Sequence, residues 1–196
     1  MKKSLEESAL DQLFRKARTY NKFVDQAVPD LTIANLYELL KWGPTATNCQ
    51  PGRYVFVRSP EAKKRLVPCL AQGNVAKVEK APVTVIVAYD SKFYDQLPTQ
   101  WTAYDAKKAY VDDAELAKVA AMRNGSLQGA YLILAARSLG LDCGPMSGFS
   151  NDKVDAEFFA GTDWKSNFLV NLGFGEDGGF YPRGPRLSYG DVVQIL

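Results

Sequence analysis

Three pairs of basic or amide side chains have the chemistry needed to bind a phosphate group. The pairs are Arg15 with Arg18, Asn74 with Lys77, and Arg183 with Arg186. The second pair is three positions apart in a predicted helix and therefore shares one face. Arginine suits phosphate because its planar guanidinium group makes bidentate contacts. Each pair alone is more typical of solvated surface, but together the three could surround one phosphate.

Two uncharged segments have a different chemistry. Between Trp42 and Arg53 the chain carries no charge, yet offers Thr45, Asn48 and Gln50 between two prolines. Such a loop is stiff and could lie against a flat, neutral group with polar edges. The second segment, Gly144–Phe149 (GPMSGF), is equally compact. It is either a turn from helix to strand or backbone packed against a planar ring, because small residues let the main chain approach closely.

Periodicity predicts the elements that position these segments. Helices are predicted over 4–17, over 32–42 with Thr32 as N-cap, from Ser59-Pro60 onward, over 75–80, over 113–139 with Gly140 as C-cap, and near the C-terminus in YGDVVQIL. Strands are predicted at RYVFVR, PVTVIVAY and SNFLVNLGF, and residues 90–112 form an irregular, partly helical excursion. Strands separated by helices, with the longest helix in the middle, favour an α+β or layered α/β fold.

The longest predicted helix contains Gly125 and Gly129. A glycine inside a helix costs about 1 kcal/mol relative to alanine. Close approach of another backbone would offset that cost, and we expect the matching helix of a second subunit.

The composition excludes several classes of function. A length of 196 residues fits one domain, residues 1–196. A net charge of +2 lacks the basic excess that is typical of nucleic-acid-binding proteins. Glu6 and Glu7 interrupt any signal-peptide core, and the apolar runs are too short to span a bilayer. Three separated cysteines predict neither disulfides nor a metal site and favour a reducing, cytoplasmic setting. The chain has no histidine, so another group must supply any demanding chemistry.

Gly173, Gly175 and Gly178 match the GxGxxG pattern of dinucleotide-binding proteins. The context contradicts that interpretation, because Glu176 and Asp177 would repel a pyrophosphate and the following prolines prevent a helix. We therefore predict a glycine-rich loop after an edge strand.

The motifs resemble those of the FMN-dependent nitroreductase-fold flavoproteins over essentially the whole chain. The family's P-[ST]-x-x-N-x-Q-P loop is matched by residues 44–51, its Asn-x-x-Lys by Asn74 and Lys77, and its P-x-x-G-F by residues 145–149. Its phosphate motif is matched at residues 18–21, with Asn21 in place of the second basic residue, and Gly52 replaces a frequent tryptophan. The resemblance implies FMN contacts from Arg18, Thr19, Tyr20, Asn21, Pro44, Thr45, Ala46, Asn48, Gln50, Asn74, Lys77, Pro145, Met146, Ser147, Gly148, Arg183 and Arg186.

The resemblance also implies a mainly antiparallel sheet flanked by helices, a long helix at a homodimer interface, and flavin sites shared between subunits. NADPH or NADH would deliver a hydride to the flavin in a ping-pong cycle. Long blocks such as AYDSKFYDQLP and DAEFFAGTDWKSNF are similar to the malonic semialdehyde reductase branch. Arg123 is then the candidate for binding an anionic substrate, and the proton donor stays open. The alternatives are a broad nitro- or quinone reductase, and a flavin-binding protein without turnover.

Overall fold

A four-stranded antiparallel sheet forms the centre of the computed structural model, which describes residues 3–196. The strands are β1 (Gly52–Val57), β2 (Val83–Asp90), β3 (Asp142–Met146) and β4 (Trp164–Gly173), and their order across the sheet is β1-β2-β4-β3. Each neighbouring pair is antiparallel. β1 and β3 are therefore the edge strands, and the apolar strand β2 lies inside, as predicted.

Helices cover both faces of this sheet. They are α1 (Glu7–Leu10), α2 (Asp30–Leu40), α3 (Pro60–Leu66), α4 (Gln72–Lys80), α5 (Leu97–Gln100), α6 (Lys107–Asp112), α7 (Ala114–Ser138), α8 (Asn151–Phe158) and α9 (Tyr189–Val192). A π-helical turn, Asp11–Arg15, follows α1, and 3-10 turns lie at Ala46–Asn48, Val67–Cys69 and Phe93–Gln96. Within residues 3–196 no helix is long and apolar enough to cross a membrane.

Two apolar layers form because residues alternate across β2. Val85 and Val87 pack with α2 and α7 on one face, while Ile86 and Ala88 pack with α3, α4 and α8 on the other. A third cluster lies beneath the excursion around the fully buried Phe93. The predicted α+β fold is confirmed.

Helix ends follow the capping signals in most places. Asp113 caps α7 by accepting a 2.9 Å hydrogen bond from Leu116 N, and Gly140 follows the helix with φ of 77°. Two predicted starts are wrong. α2 begins at Asp30 after Pro29 rather than after Thr32, because Pro29 has the extended backbone of an N-cap and the acidic Asp30 suits the first turn. The first helix is shorter than predicted and changes to a π turn at Asp11.

Gly125 and Gly129 do not meet another helix, contrary to our expectation. A Cβ atom on Gly129 would lie 2.5 Å from Phe168 Cζ, and one on Gly125 would lie 3.0 Å from Tyr89 Cβ. Both glycines therefore bring α7 close to the large side chains of its own sheet.

The segment 144–149, for which a turn from helix to strand was one of two alternatives, begins as a strand. Residues 142–146 pair with β4, and on the outer side of β3, Tyr20 N donates a 3.0 Å hydrogen bond to Cys143 O. Gly144 is required here, because a Cβ atom would lie 2.4 Å from Tyr20 O.

The GxGxxG segment is a loop, as predicted, but the strand before it, β4, lies inside the sheet between β2 and β3, so the expected edge strand is wrong. Gly175 N donates to Asp142 Oδ2 at 2.9 Å, Gly178 has φ of 68°, and no helix follows until Tyr189.

Candidate functional site

A basic pocket lies where the N-terminal segment crosses the C-terminal one. Its volume is about 410 Å³. Five of the residues implied by the phosphate motif and the C-terminal pair line it together with Arg137 of α7. They are Arg18, Thr19, Asn21, Arg183 and Arg186. Of the three pairs expected to surround one phosphate, the pocket brings together Arg18, Arg183 and Arg186, whereas Arg15, Asn74 and Lys77 do not line it.

Hydrogen bonds to main-chain carbonyl groups orient the pocket's guanidinium groups. Arg183 Nη2 donates to Arg15 O at 2.7 Å and to Ala17 O at 2.9 Å. Arg18 donates to Tyr181 O, and its guanidinium carbon lies 4.5 Å from the centre of the Phe180 ring. A guanidinium group has five N–H donors, so each arginine keeps donors for a ligand. The donor set fits a phosphate.

Two neighbouring residues, Arg15 and Tyr20, are not among those that line the pocket. Arg15 does not join the pocket, because its side chain is 2.6 Å from Glu7 and 2.8 Å from Asp11 in exposed ion pairs. Tyr20 packs against the C-terminal segment instead: its ring lies 5.1 Å from that of Phe180 in an edge-to-face contact. Burial raises the pKa of the Tyr20 hydroxyl, so it stays neutral.

A second group of site residues lies beyond the C-terminal end of β3. Asn74 Nδ2 donates to Gly148 O at 3.0 Å, and Lys77 Nζ lies 3.5 Å from Asn74 Oδ1. A Cβ atom on Gly148 would lie 2.6 Å from Asn74 Nδ2, so glycine is what allows this contact. The amide, the ammonium group and the exposed backbone around Ser147 offer polar contacts to a ligand edge.

Pro145 and Met146 are still within β3, where they pair with Val170 and Leu169 of β4. Met146 packs against the apolar layer formed with α3, α4 and α8. These two residues therefore fix where the chain leaves the sheet before Ser147 and Gly148.

The uncharged loop before β1 has an unusual backbone. Thr47, Asn48 and Gln50 all have positive φ, at 49°, 51° and 40°. Non-glycine residues rarely adopt this conformation, and a β-branched threonine does so least readily. Such strain is concentrated at functional sites. Within the loop, Thr45 Oγ1 accepts a 3.2 Å hydrogen bond from Gln50 N.

The exposed side of this loop contacts the excursion. Asn48 Nδ2 donates to Gln100 O at 3.1 Å, and Gln50 Nε2 donates to Gln100 Oε1 at 2.9 Å and to Asn48 Oδ1 at 3.0 Å. Pro44 and Ala46 are exposed beside this network. These contacts place part of the 90–112 excursion against the loop.

One chain does not bring all the predicted residues together. The loop precedes edge strand β1, whereas Thr19 pairs outside the opposite edge strand, β3. Four strand spacings separate them in the sheet, about 19 Å. Among the described residues, the loop's hydrogen bonds run to Gln100, Asn124, Gln128, Arg53 and Asp90, and none runs to the basic pocket or to Asn74.

Two residues singled out from the sequence, Arg123 and Cys49, are neither ion-paired nor activated within the described part of the chain. Arg123 is exposed on α7 and forms no ion pair within residues 3–196. Cys49 is buried inside the loop, and burial raises the pKa of its thiol to about 11. Its thiol is therefore protonated and unreactive at neutral pH.

Sequence reasoning missed the polar side chains of α7. Asn124 and Gln128 are both 4% exposed, and each accepts a hydrogen bond from the backbone of the loop region. Arg137, near the end of the same helix, lines the basic pocket. A signal for the first two was available: they are four positions apart and each precedes a glycine.

The arrangement of the sheet and of the long helix is that of nitroreductase-like proteins. A crystal structure of a nitroreductase from Bacillus subtilis superposes with a TM-score of 0.87 at 20% identity, covering 97% of this chain and 100% of that chain. A nitroreductase from Exiguobacterium sibiricum, solved in complex with FMN, gives a TM-score of 0.82 at 22% identity, with both chains fully covered. Both proteins are named provisionally, and the likeness shows the fold.

The family follows from sequence similarity. The model of the nitroreductase family matches residues 14–174, so the chain belongs to that family. A relative from Xanthomonas oryzae pv. oryzae is 57% identical over 195 residues and all of both chains. Its provisional name is NADH dehydrogenase/NAD(P)H nitroreductase.

Proposed function

We propose that this protein is an FMN-dependent oxidoreductase that takes a hydride from NADPH or NADH and passes it to a small acceptor. The observation that carries the proposal is the basic pocket formed by Arg18, Asn21, Arg183 and Arg186 in a chain of the nitroreductase family. A bound flavin would supply the hydride chemistry, which suits a chain that has no histidine.

The residues of this chain have distinct tasks in that proposal. The arginines hold the phosphate end, because guanidinium groups bind phosphate in a bidentate manner. Asn74, Lys77 and the backbone at Gly148 contact the polar edge of the ring. The uncharged loop at 44–50 covers a neutral part of the ring and excludes water from it.

A homodimer is part of the proposal, because the loop and the basic pocket of one chain lie too far apart to share one flavin. Two exposed apolar surfaces are available for a second copy. The first runs along α7 and comprises Leu116, Val119, Met122, Leu127 and Tyr131. The second is the C-terminal tail from Tyr181 to Leu196, whose apolar side chains are largely exposed. Apolar patches of this kind mark interaction surfaces.

The first experiment is an anaerobic titration of the purified, FMN-loaded protein with NADPH and NADH, followed by its visible absorption spectrum. We expect the flavin absorbance to bleach. An Arg18→Ala variant should bind FMN about tenfold more weakly or worse, because a hydrogen bond to a charged group contributes about 1.5–3 kcal/mol. Arg58→Ala is the matched control, since Arg58 forms an exposed ion pair with Asp30 away from the site.

Three outcomes divide the possibilities. Protein that binds no FMN would contradict the cofactor assignment. Protein that binds FMN but is not reduced by either nicotinamide would instead be a flavin-binding protein without turnover. Equal loss of FMN affinity in the Arg18 and Arg58 variants would remove the role given to the pocket.

The acceptor is a finer proposal. Similarity of the long sequence blocks favours malonic semialdehyde, which would be reduced to 3-hydroxypropionate. The name of the Xanthomonas relative favours a nitroreductase instead. Reoxidation of the reduced protein by malonic semialdehyde, by a quinone and by a nitroaromatic compound separates the two: rapid recovery with only the last two would reject the aldehyde.

Arg123 is the proposed anchor for an anionic acceptor. An Arg123→Ala variant should raise the KM for malonic semialdehyde about tenfold, which corresponds to about 1.4 kcal/mol of binding energy. The KM for a neutral quinone should not change. Equal effects on both acceptors would remove this role.

A further inference from the structure

The strained loop needs support from outside itself. Thr47, Asn48 and Gln50 each adopt the left-handed conformation that side chains disfavour. A backbone of this kind persists only when the surrounding structure holds it in place. Three hydrogen bonds from backbone donors within the loop do not fix its ends: they run from Asn48 N to Thr45 O, from Cys49 N to Ala46 O and from Gln50 N to Thr45 Oγ1.

Two buried amide side chains of α7 hold those ends. Asn124 Oδ1 accepts a 2.9 Å hydrogen bond from Ala46 N, before the strained residues, and Gln128 Oε1 accepts a 2.8 Å hydrogen bond from Gly52 N, after them. Asn124 Nδ2 also donates to Ala120 O at 2.8 Å, which fixes the orientation of its amide. The spacing of four residues places both amides on one face of the helix.

Glycine at position 52 makes the second contact possible. A Cβ atom there would lie 2.8 Å from Gln128 Oε1 and 2.6 Å from the Tyr54 hydroxyl. The absence of a side chain at position 52 therefore leaves the space in which the Gln128 amide reaches the backbone.

The close packing of α7 against the sheet determines how near both amides lie to the loop. Gly125 and Gly129, each one residue after an amide, let the helix pack against Tyr89 and Phe168. On the opposite side of the loop, Arg53 donates to Gln50 O at 3.1 Å and is held by Asp90 at 2.8 Å. The strained residues therefore lie between fixed points on a helix and on the sheet.

We propose that Asn124 and Gln128 are positioning residues, which hold the loop in its strained shape so that residues 45–50 pack against the cofactor. The inference rests on the proposed function, since it concerns the same flavin site. The two amides act through the loop and do not themselves touch the ring.

The test compares four variants of the full-length protein. Gln128→Met and Asn124→Leu remove the acceptors at similar volume, and Gln128→Glu keeps an oxygen at the same place. Ser126→Ala is the matched control, because Ser126 lies between the two amides on α7 but accepts its hydrogen bond from Asn167 instead of the loop. Two properties are measured: the amide ¹H–¹⁵N signals of Ala46 and Gly52 without flavin, and the affinity and midpoint potential of bound FMN.

We expect Gln128→Met to shift the Gly52 signal and Asn124→Leu to shift the Ala46 signal. Each should weaken FMN binding about tenfold and move the midpoint potential, whereas Gln128→Glu and Ser126→Ala stay close to the wild type. If Gln128→Met does not fold, Gly52→Ala disturbs the same hydrogen bond from the loop side and should reproduce its effect.

Shifted amide signals with unchanged FMN affinity and potential would overturn the inference and leave the proposed function intact. A wild-type protein that binds no FMN would overturn both. Equal changes in the Ser126→Ala control would assign the effect to the general stability of α7 and would also overturn it.

Discussion

Replacing Gly144 with alanine should damage both stability and the basic pocket. The backbone of Gly144 has an ordinary conformation, so the effect is steric: the new Cβ atom would lie 2.4 Å from Tyr20 O. The partner is a main-chain atom and cannot rotate away. Residues 18–21 would therefore have to move outward from β3, and the 3.0 Å hydrogen bond from Tyr20 N to Cys143 O would be lost.

The expected magnitude follows from two contributions. Overpacking costs about 1–3 kcal/mol, and loss of one backbone hydrogen bond costs about 0.5–1.5 kcal/mol. The free energy of unfolding should therefore fall by about 2–4 kcal/mol. For a chain of this length, that change lowers Tm by about 5–15 °C. The affinity for FMN should also fall, because Arg18 and Asn21 would leave their places in the pocket.

Thermal unfolding followed by circular dichroism and titration with FMN measure the two effects separately. Gly73→Ala is the matched control, since Gly73 lies in α4 and a Cβ atom there meets nothing within 4 Å. It should change the stability by less than about 1 kcal/mol, in the stabilising direction. A Gly144→Ala protein that melts within a degree of the wild type would refute the reasoning about the contact with Tyr20.

Two further predictions concern titratable groups. Burial raises the pKa of Asp142 above its ordinary value of 3.8, so its charge destabilises the folded state at neutral pH and this penalty disappears as the pH falls through the raised pKa. Asp142→Asn should therefore increase the free energy of unfolding at pH 7 but not below about pH 3.8. Urea titrations of both proteins at the two pH values measure this difference. An equal increase in the free energy of unfolding at both pH values would contradict the prediction. Burial also raises the pKa of Cys49 to about 11 and that of Cys143 to about 12. A thiol-specific reagent at pH 8 should therefore label these two cysteines only after unfolding. Rapid labelling of either cysteine in the folded protein would show that its thiol is not buried.

Local sequence signals predicted most of the fold. The strand at PVTVIVAY, the long helix after Asp113 and the helix starting at Ser59-Pro60 all match the structure, because alternation, capping and proline placement act over a few residues. β3 was missed for the same reason. Its sequence, DCGPM, has no strand pattern, and only pairing with β4 and with Thr19 makes it a strand.

The candidate site depended more on long-range packing. The cations at 18 and 183 could be grouped from their chemistry, and the structure confirms that they line one pocket. The glycines of α7 were misinterpreted, because a sequence does not distinguish close contact with a sheet from close contact with a second helix. The spacing of Asn124 and Gln128 signals only that both amides share one face of α7. The loop contact of Asn124 could not be predicted, since its partner, Ala46 N, lies far away along the chain.

The order of strands also has a consequence for synthesis in the cell. β2 pairs with β4 across its whole length, from Val83 with Leu172 to Asp90 with Trp164. About 80 residues separate the two strands along the chain, so at 5–20 residues per second β2 leaves the ribosome roughly 5–15 s before its partner. During that interval the most apolar strand of the protein has β1 on one side and an open edge on the other. Chains released before Trp164 should therefore aggregate through this edge, so that solubility is gained only when the last strand has been made.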